Sequence, residues 1–118
     1  IWEVSRGDTH EHDLDPRDLG IPRARTDDLR GGDPAHNAEI VRRTLAGETG
    51  AVREIVLLNA AAGLVAYRLS KDATQGQRPV LERLAEERDL AAATIDSGAA
   101  QTKLADWIAA TRDLTNAS

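Results

Sequence analysis

The chain has no cysteine, no methionine and no phenylalanine. Without cysteine there are no disulfides and no thiolate metal sites, which is compatible with the cytosol. Without methionine there is no translation start. The expectation is therefore that a portion of the protein precedes Ile1, because Ile1-Trp2-Glu3-Val4 already reads as the middle of a strand. Without phenylalanine the large aromatics are Trp2, Tyr67 and Trp107. A core has to come from Leu, Ile, Val and Ala, which lets helices approach closely but buries little area per residue. No apolar run reaches the ~20 residues that a bilayer crossing takes, so no membrane partner is expected. Basic residues are outnumbered, 15 against 20 acidic ones, for a net charge of -5. That balance argues against a nucleic-acid partner, since phosphate binding needs a basic face. No signal peptide stands in these residues.

What is present suits a folded globular chain: 118 residues, 41% hydrophobic and 30% charged. That length fits one domain or part of a larger one. Every basic residue is Arg except Lys71 and Lys103, and Ala is heavily used, a usage that points to a GC-rich bacterial gene.

The chain divides into a hairpin at 1–15, a connector at 16–32, a helical part at 33–114 and a tail at 115–118. In the hairpin, Arg6-Gly7-Asp8 supplies the turn, and Thr9 to Leu14 resumes an extended run. Asp15-Pro16 ends it, because Pro cannot donate to a ladder. One helical turn is expected at Pro16–Leu19. The first helix opens on Asp33 as N-cap with Pro34 at its first position, where a missing N–H costs nothing. Ala38, Val41 and Leu45 mark its apolar side, Glu39 and Arg43 form an i,i+4 pair, and Gly47 stops it. A second helix runs from Ala51 to Tyr67. Residues 55–67 carry no charge, which predicts a fully buried core helix. Asn59 in its middle needs partners, and Gly63 predicts close approach by another element. Arg68 to Gln77 reads as a loop. A third helix starts near Pro79, with Val80, Leu81, Leu84, Ala85, Ala91, Ala92 and Ile95 inward and Glu82, Glu86, Glu87 and Arg88 solvated. Ser97-Gly98 breaks it. A fourth helix turns Ala100, Leu104, Trp107 and Ile108 inward, up to about Leu114.

Candidate chemistry is thin. Gly31-Gly32-Asp33 before a helix resembles a phosphate cradle in outline, since free N–H groups and the helix dipole favour an anion. Asp33, however, places a carboxylate where the phosphate would sit, and neither a Walker Lys nor G-x-G-x-x-G spacing is present. The reading taken is a tight turn with an Asp cap. His10 and His12 fall on one strand face and could hold a metal, but no third ligand is at hand. His36 reads as a surface residue rather than a lone base. Asp27-Asp28 and Glu86-Glu87 could attract Mg²⁺, and read as solvent-facing acids.

In order along the chain stand Leu29-Arg30-Gly31-Gly32-Asp33 with Asn37-Ala38, Leu57-Leu58-Asn59-Ala60-Ala61, and Ile95-Asp96-Ser97-Gly98-Ala99-Ala100. With Trp2-Glu3-Val4, Leu14-Asp15-Pro16 and Leu19-Gly20, this set resembles the C-terminal part of the anthranilate phosphoribosyltransferase family, over residues 1 to about 114. Tyr67 to Asp89 departs from the family's pattern by being longer and more charged. The resemblance implies an α/β fold, of which this chain would be an N-terminal β-hairpin followed by about four helices. It implies a cytoplasmic enzyme of tryptophan biosynthesis that moves phosphoribose from phosphoribosyl pyrophosphate to anthranilate with Mg²⁺, as a homodimer. The family's substrate loop is Gly-Thr-Gly-Gly-Asp, whereas here Leu29-Arg30 precedes Gly31-Gly32-Asp33, which matches a later turn of the family. Its Lys-His-Gly-Asn segment and metal-binding Asp-Glu pair have no counterpart here. No catalytic, substrate-binding or metal residue is therefore assigned in this chain, which is expected to bind no cofactor, to be inactive alone and to need the rest of the parent enzyme as partner. Two alternatives stand beside it: a non-enzymatic helical interaction module, and a nucleoside phosphorylase relative of the same fold.

Overall fold

Arg6 and Gly7 both take positive φ, 54° and 88°, the signs a type I′ two-residue turn requires. The turn joins β1 (Trp2–Ser5) to β2 (Asp8–Glu11) in an antiparallel ladder with Ser5 opposite Asp8 and Trp2 opposite Glu11. In this computed structural model, which describes residues 1–116, the hairpin is the only sheet among the described residues. Strand side chains alternate in direction. Trp2 and Val4 share the open face, while Glu3 and Ser5 are half-buried on the other.

The connector is more ordered than its composition suggests. The expected turn forms as a 3₁₀ helix at Pro16–Leu19, capped by the Asp15 carboxylate and closed by Gly20 at φ 71°. A second 3₁₀ turn, Thr26–Leu29, follows, and the Asp28 carboxylate accepts the Arg25 N–H at 2.8 Å. Four helices come next: α1 (Pro34–Leu45), α2 (Ala51–Lys71), α3 (Val80–Asp96) and α4 (Ala99–Asn116). Hairpin-then-four-helices is the order expected. Gly47, at φ 93°, ends α1 as anticipated. Ala117 and Ser118, part of the expected tail, lie outside the described residues. No helix of the described residues is long and apolar enough to cross a membrane.

The core lies on the seam between α2 and α3. On α2 the buried residues are Arg53, Leu57, Ala61 and Val65, four residues apart. On α3 they are Arg83, Leu84, Glu87, Ala91 and Ile95. Each set follows the row that a helix presents to a close neighbour. The seam holds two small apolar clusters: Leu57 with Ala91 and Ile95, and Ala61 with Val65 and Leu84. Leu45, Ala92 and Ala100 pack on the first, and Leu14, Leu19 and Val80 on the second.

Several expectations need correction. Residues 55–67 do not form a fully buried helix: only one stripe is covered, and Ile55, Val56 and Tyr67 are exposed. Asn59 is exposed too, its Nδ2 donating to the Ile55 carbonyl at 2.8 Å. Among the described residues, nothing beyond the helix's own backbone lies within 4 Å of a Cβ built on Gly63. The segment 68–77 is not a loop: α2 continues to Lys71 and a 3₁₀ turn fills Ala73–Gln77. Glu87 is not solvated but buried, with the Arg68 Nε donating to it at 2.6 Å, while Ala85 is exposed. Arg83 is likewise buried, and its Nη2 donates to Glu3 at 2.6 Å. Glu39 pairs with Arg42 rather than Arg43, which meets Glu48 instead. On α4, Ala100 and Leu104 are half-buried but Trp107 and Ile108 are exposed. Trp107 lines only a shallow hollow with Val41, Leu45 and Leu104.

Candidate functional site

The turn before α1 closes on itself. The Gly32 N–H donates to Asn37 Oδ1 at 2.8 Å, and Asn37 Nδ2 donates back to the Gly32 carbonyl at 2.9 Å. The Asp33 carboxylate accepts the His36 N–H at 2.8 Å, and the Asn37 N–H donates to the Asp33 carbonyl. A Cβ on Gly31 would stand 2.9 Å from Asn37 Oδ1, and one on Gly32 2.9 Å from His36 Cδ2. A side chain at either glycine would have to displace the Asn37 or His36 side chain in the first turn of α1. The N–H groups of Gly32, His36 and Asn37 are engaged within the stretch, and a carboxylate sits at the positive end of the helix dipole. Tight turn plus cap describes this geometry. Asn37 had no structural role in the sequence; its cue was only its place after Asp33, since a carboxamide can bridge a preceding turn. Asp33→Ala is expected to lower stability by about 1 kcal/mol, read as an earlier urea midpoint with unchanged slope.

The other sequence candidates stay dispersed. His10 is exposed and His12 half-buried, and no group of three or more His, Cys, Asp or Glu able to hold a metal occurs among the described residues. His36 is exposed. Asp27 is paired with Arg30, Glu86 with Arg78 and Glu87 with Arg68.

One hollow was not foreseen. A cavity of about 970 Å³ opens between the connector, α1 and the first turns of α2, floored by Leu14, Ile21, Ile40, Val52 and Leu58. Its rim includes Gly50, at φ 135°, where α2 begins without a side-chain cap. Among the charges lining it, Arg43 pairs with Glu48, and Arg53 with Asp96 at 2.8 Å. No histidine lines it. The arrangement can accept an apolar group, and its lining pairs no nucleophile with a base.

Exposed carboxylates here are tuned by their partners. The Arg17 guanidinium and backbone N–H on Asp15 hold its carboxyl at about 2, below its ordinary 3.8. The Arg43 guanidinium lowers Glu48, the Arg78 guanidinium lowers Glu86, and the Thr74 hydroxyl and N–H lower Asp72. A carboxylate whose folded pKa is depressed adds stability above its unfolded pKa and loses it as pH falls through the folded value. Stability should therefore decline between about pH 4 and pH 2, and Asp15→Asn should flatten part of that decline. Urea midpoints measured across this range check both statements.

A family model described as "Glycosyl transferase family, a/b domain" matches residues 1–101. A protein of Leifsonia xyli subsp. xyli named anthranilate phosphoribosyltransferase is 58% identical over 112 residues, 95% of this chain and 32% of the relative. One of Clavibacter sepedonicus with the same name is 56% identical over the same shares. One of Streptomyces griseus, also so named, is 47% identical over 93% of this chain and 29% of its own length. The chain thus spans about a third of the length of the curated relatives it matches.

Proposed function

The chain belongs to the glycosyl transferase family, a/b domain, and on that premise we propose that it is the non-reacting portion of an anthranilate phosphoribosyltransferase. The whole protein would transfer phosphoribose from phosphoribosyl pyrophosphate to the amino group of anthranilate, releasing pyrophosphate. It would act in tryptophan biosynthesis, in the cytoplasm, as a homodimer. The observation that carries this reading is the 58% identity, along 95% of the chain, to a relative bearing that name.

The geometry supports a scaffolding role. Trp2 and Val4 are 73% and 69% exposed on the open hairpin face. A free-standing interaction module would be expected to bury them, whereas a piece of a larger sheet would not. A two-stranded hairpin also leaves both strand edges open to further pairing. The acid pairs that could attract Mg²⁺ have other partners: Asp27, Glu86 and Glu87 each face an arginine and Asp28 accepts a backbone N–H.

The test is an assay of two samples, the 118-residue chain and a longer polypeptide that contains it at the length of its relatives. Pyrophosphate release dependent on both anthranilate and phosphoribosyl pyrophosphate is expected from the longer polypeptide alone. Turnover by the 118 residues would end the scaffolding reading. Phosphorolysis of a nucleoside in place of transfer to anthranilate would favour the phosphorylase alternative.

A further inference from the structure

We infer that the outward face of α2 is the docking surface for the remainder of the same polypeptide, with Gly63 as the point of closest approach. The inference rests on the reading that this chain is part of a longer enzyme. Leu57, Ala61 and Val65 of α2 are spent on α3. Ile55, Val56, Asn59, Ala62, Gly63 and Tyr67 lie on its opposite side and are exposed. None is charged, although both ends of α2 carry charges, Arg53 and Glu54 at one and Arg68 and Lys71 at the other. A solvated helix face ordinarily carries polar and charged residues, and an apolar face of this length marks an interaction site.

The shape of the face supports the same conclusion. Asn59, Ala62, Gly63 and Ala66 form a low middle, with Ile55 and Val56 at one end and Tyr67 at the other. Glycine inside a helix is unfavourable relative to alanine, and it is kept where another backbone comes close. Among the described residues, nothing beyond the helix's own backbone comes within 4 Å of a Cβ on Gly63. The approaching element therefore lies outside these residues. About two thirds of the length of the relatives is not represented here, ample chain to supply it.

The chain has no cysteine, so a single introduced thiol reports on the face. Ala66→Cys in the longer polypeptide is expected to react with a maleimide at least about 100-fold more slowly than the same thiol in urea, since reaction then requires local opening. In the 118-residue chain it should react near the unfolded rate. Ala62→Cys provides a second probe should Ala66→Cys perturb folding. Gly63→Leu leaves the 118-residue chain as stable as before or more so, because the site is open and Leu favours a helix over Gly. In the longer polypeptide Gly63→Leu, combined with Ala66→Cys, should abolish the protection of the introduced thiol. Labelling of that thiol in the longer polypeptide at the unfolded rate, with Gly63 in place, overturns the inference. Protection in the 118-residue chain that grows with its concentration also overturns it, by making a second copy the occupant. Labelling needs no substrate, so the two readings fail separately. Protection without transfer activity refutes the enzyme assignment, and activity without protection refutes the docking surface.

Discussion

Arg83→Met is expected to destabilise the fold by about 3–5 kcal/mol, the usual result of stranding one partner of a buried ion pair. The Arg83 side chain is 4% exposed and that of Glu3 10%, and their bond at 2.6 Å ties the hairpin to α3 across 80 residues of sequence. Removing the guanidinium leaves the Glu3 carboxylate enclosed without its counter-charge. Water has little access to repay the lost interaction, because the Glu3 side chain is enclosed where it meets α3. The pair is itself imperfect: Arg83 Nε and Nη1 are buried without a hydrogen-bond partner among the described residues. An imperfectly satisfied pair should be replaceable, since desolvation offsets most of its Coulombic gain. The double variant Glu3→Leu/Arg83→Met is therefore expected to recover most of the loss, to within about 1–2 kcal/mol of the parent. Urea unfolding followed by helical circular dichroism reads both variants. A single variant as stable as the parent, or a double variant no better than the single, would show that the pair does not act as argued.

The second large effect belongs to the apolar seam. Leu57→Ala should lower stability by about 2–5 kcal/mol, the range for deleting buried methyl groups and leaving a cavity. Leu57 is 2% exposed and sits among Ala91, Ile95, Leu45 and Ala100. Its neighbours are small or held on separate helices, so little can collapse into the space it vacates. Leu84→Ala removes the corresponding anchor of the second cluster and should act in the same range. Val56 is the control, one residue from Leu57 on the same helix and 38% exposed. Val56→Ala should change the 118-residue chain by less than about 1 kcal/mol, as surface substitutions do. A seam built from Ala61, Ala91 and a few branched aliphatics has little redundancy, and a chain of this size rarely exceeds about 5–15 kcal/mol in total.

Where rules of local geometry applied, the reading from residues was sound. The turn at Arg6-Gly7, the 3₁₀ helix at Pro16–Leu19, the Asp33 cap and the stop at Gly47 all formed where expected. Each depends on hydrogen bonds or steric limits spanning a handful of residues. The errors share another origin. Glu87 stood in a run of charges and read as solvated, yet it lies on the same four-residue row as Arg83, Ala91 and Ile95. Its burial depends on Arg68, a residue on a different helix. Trp107 read as inward because it continues the row of Ala100 and Leu104, but of that row only Ala100 and Leu104 are half-buried, while Trp107 and Ile108 are exposed. The cavity beside Gly50 had no sequence cue, because three separated segments build it.

At the Gly31-Gly32-Asp33 turn, the sequence by itself settled the cap, the helix start and, with the other motifs, the family to which the chain belongs. It did so because capping, turn geometry and motif order are written in neighbouring residues. Only the tertiary structure decided which side of α2 is spent on α3 and which is left open at Gly63. The uncharged run 55–67 is compatible with either side facing inward, and the choice falls to whichever row meets the buried row of α3. Burial is a property of pairs of surfaces, and here the second surface lies some thirty residues away along the chain, between Leu57 and Ala91.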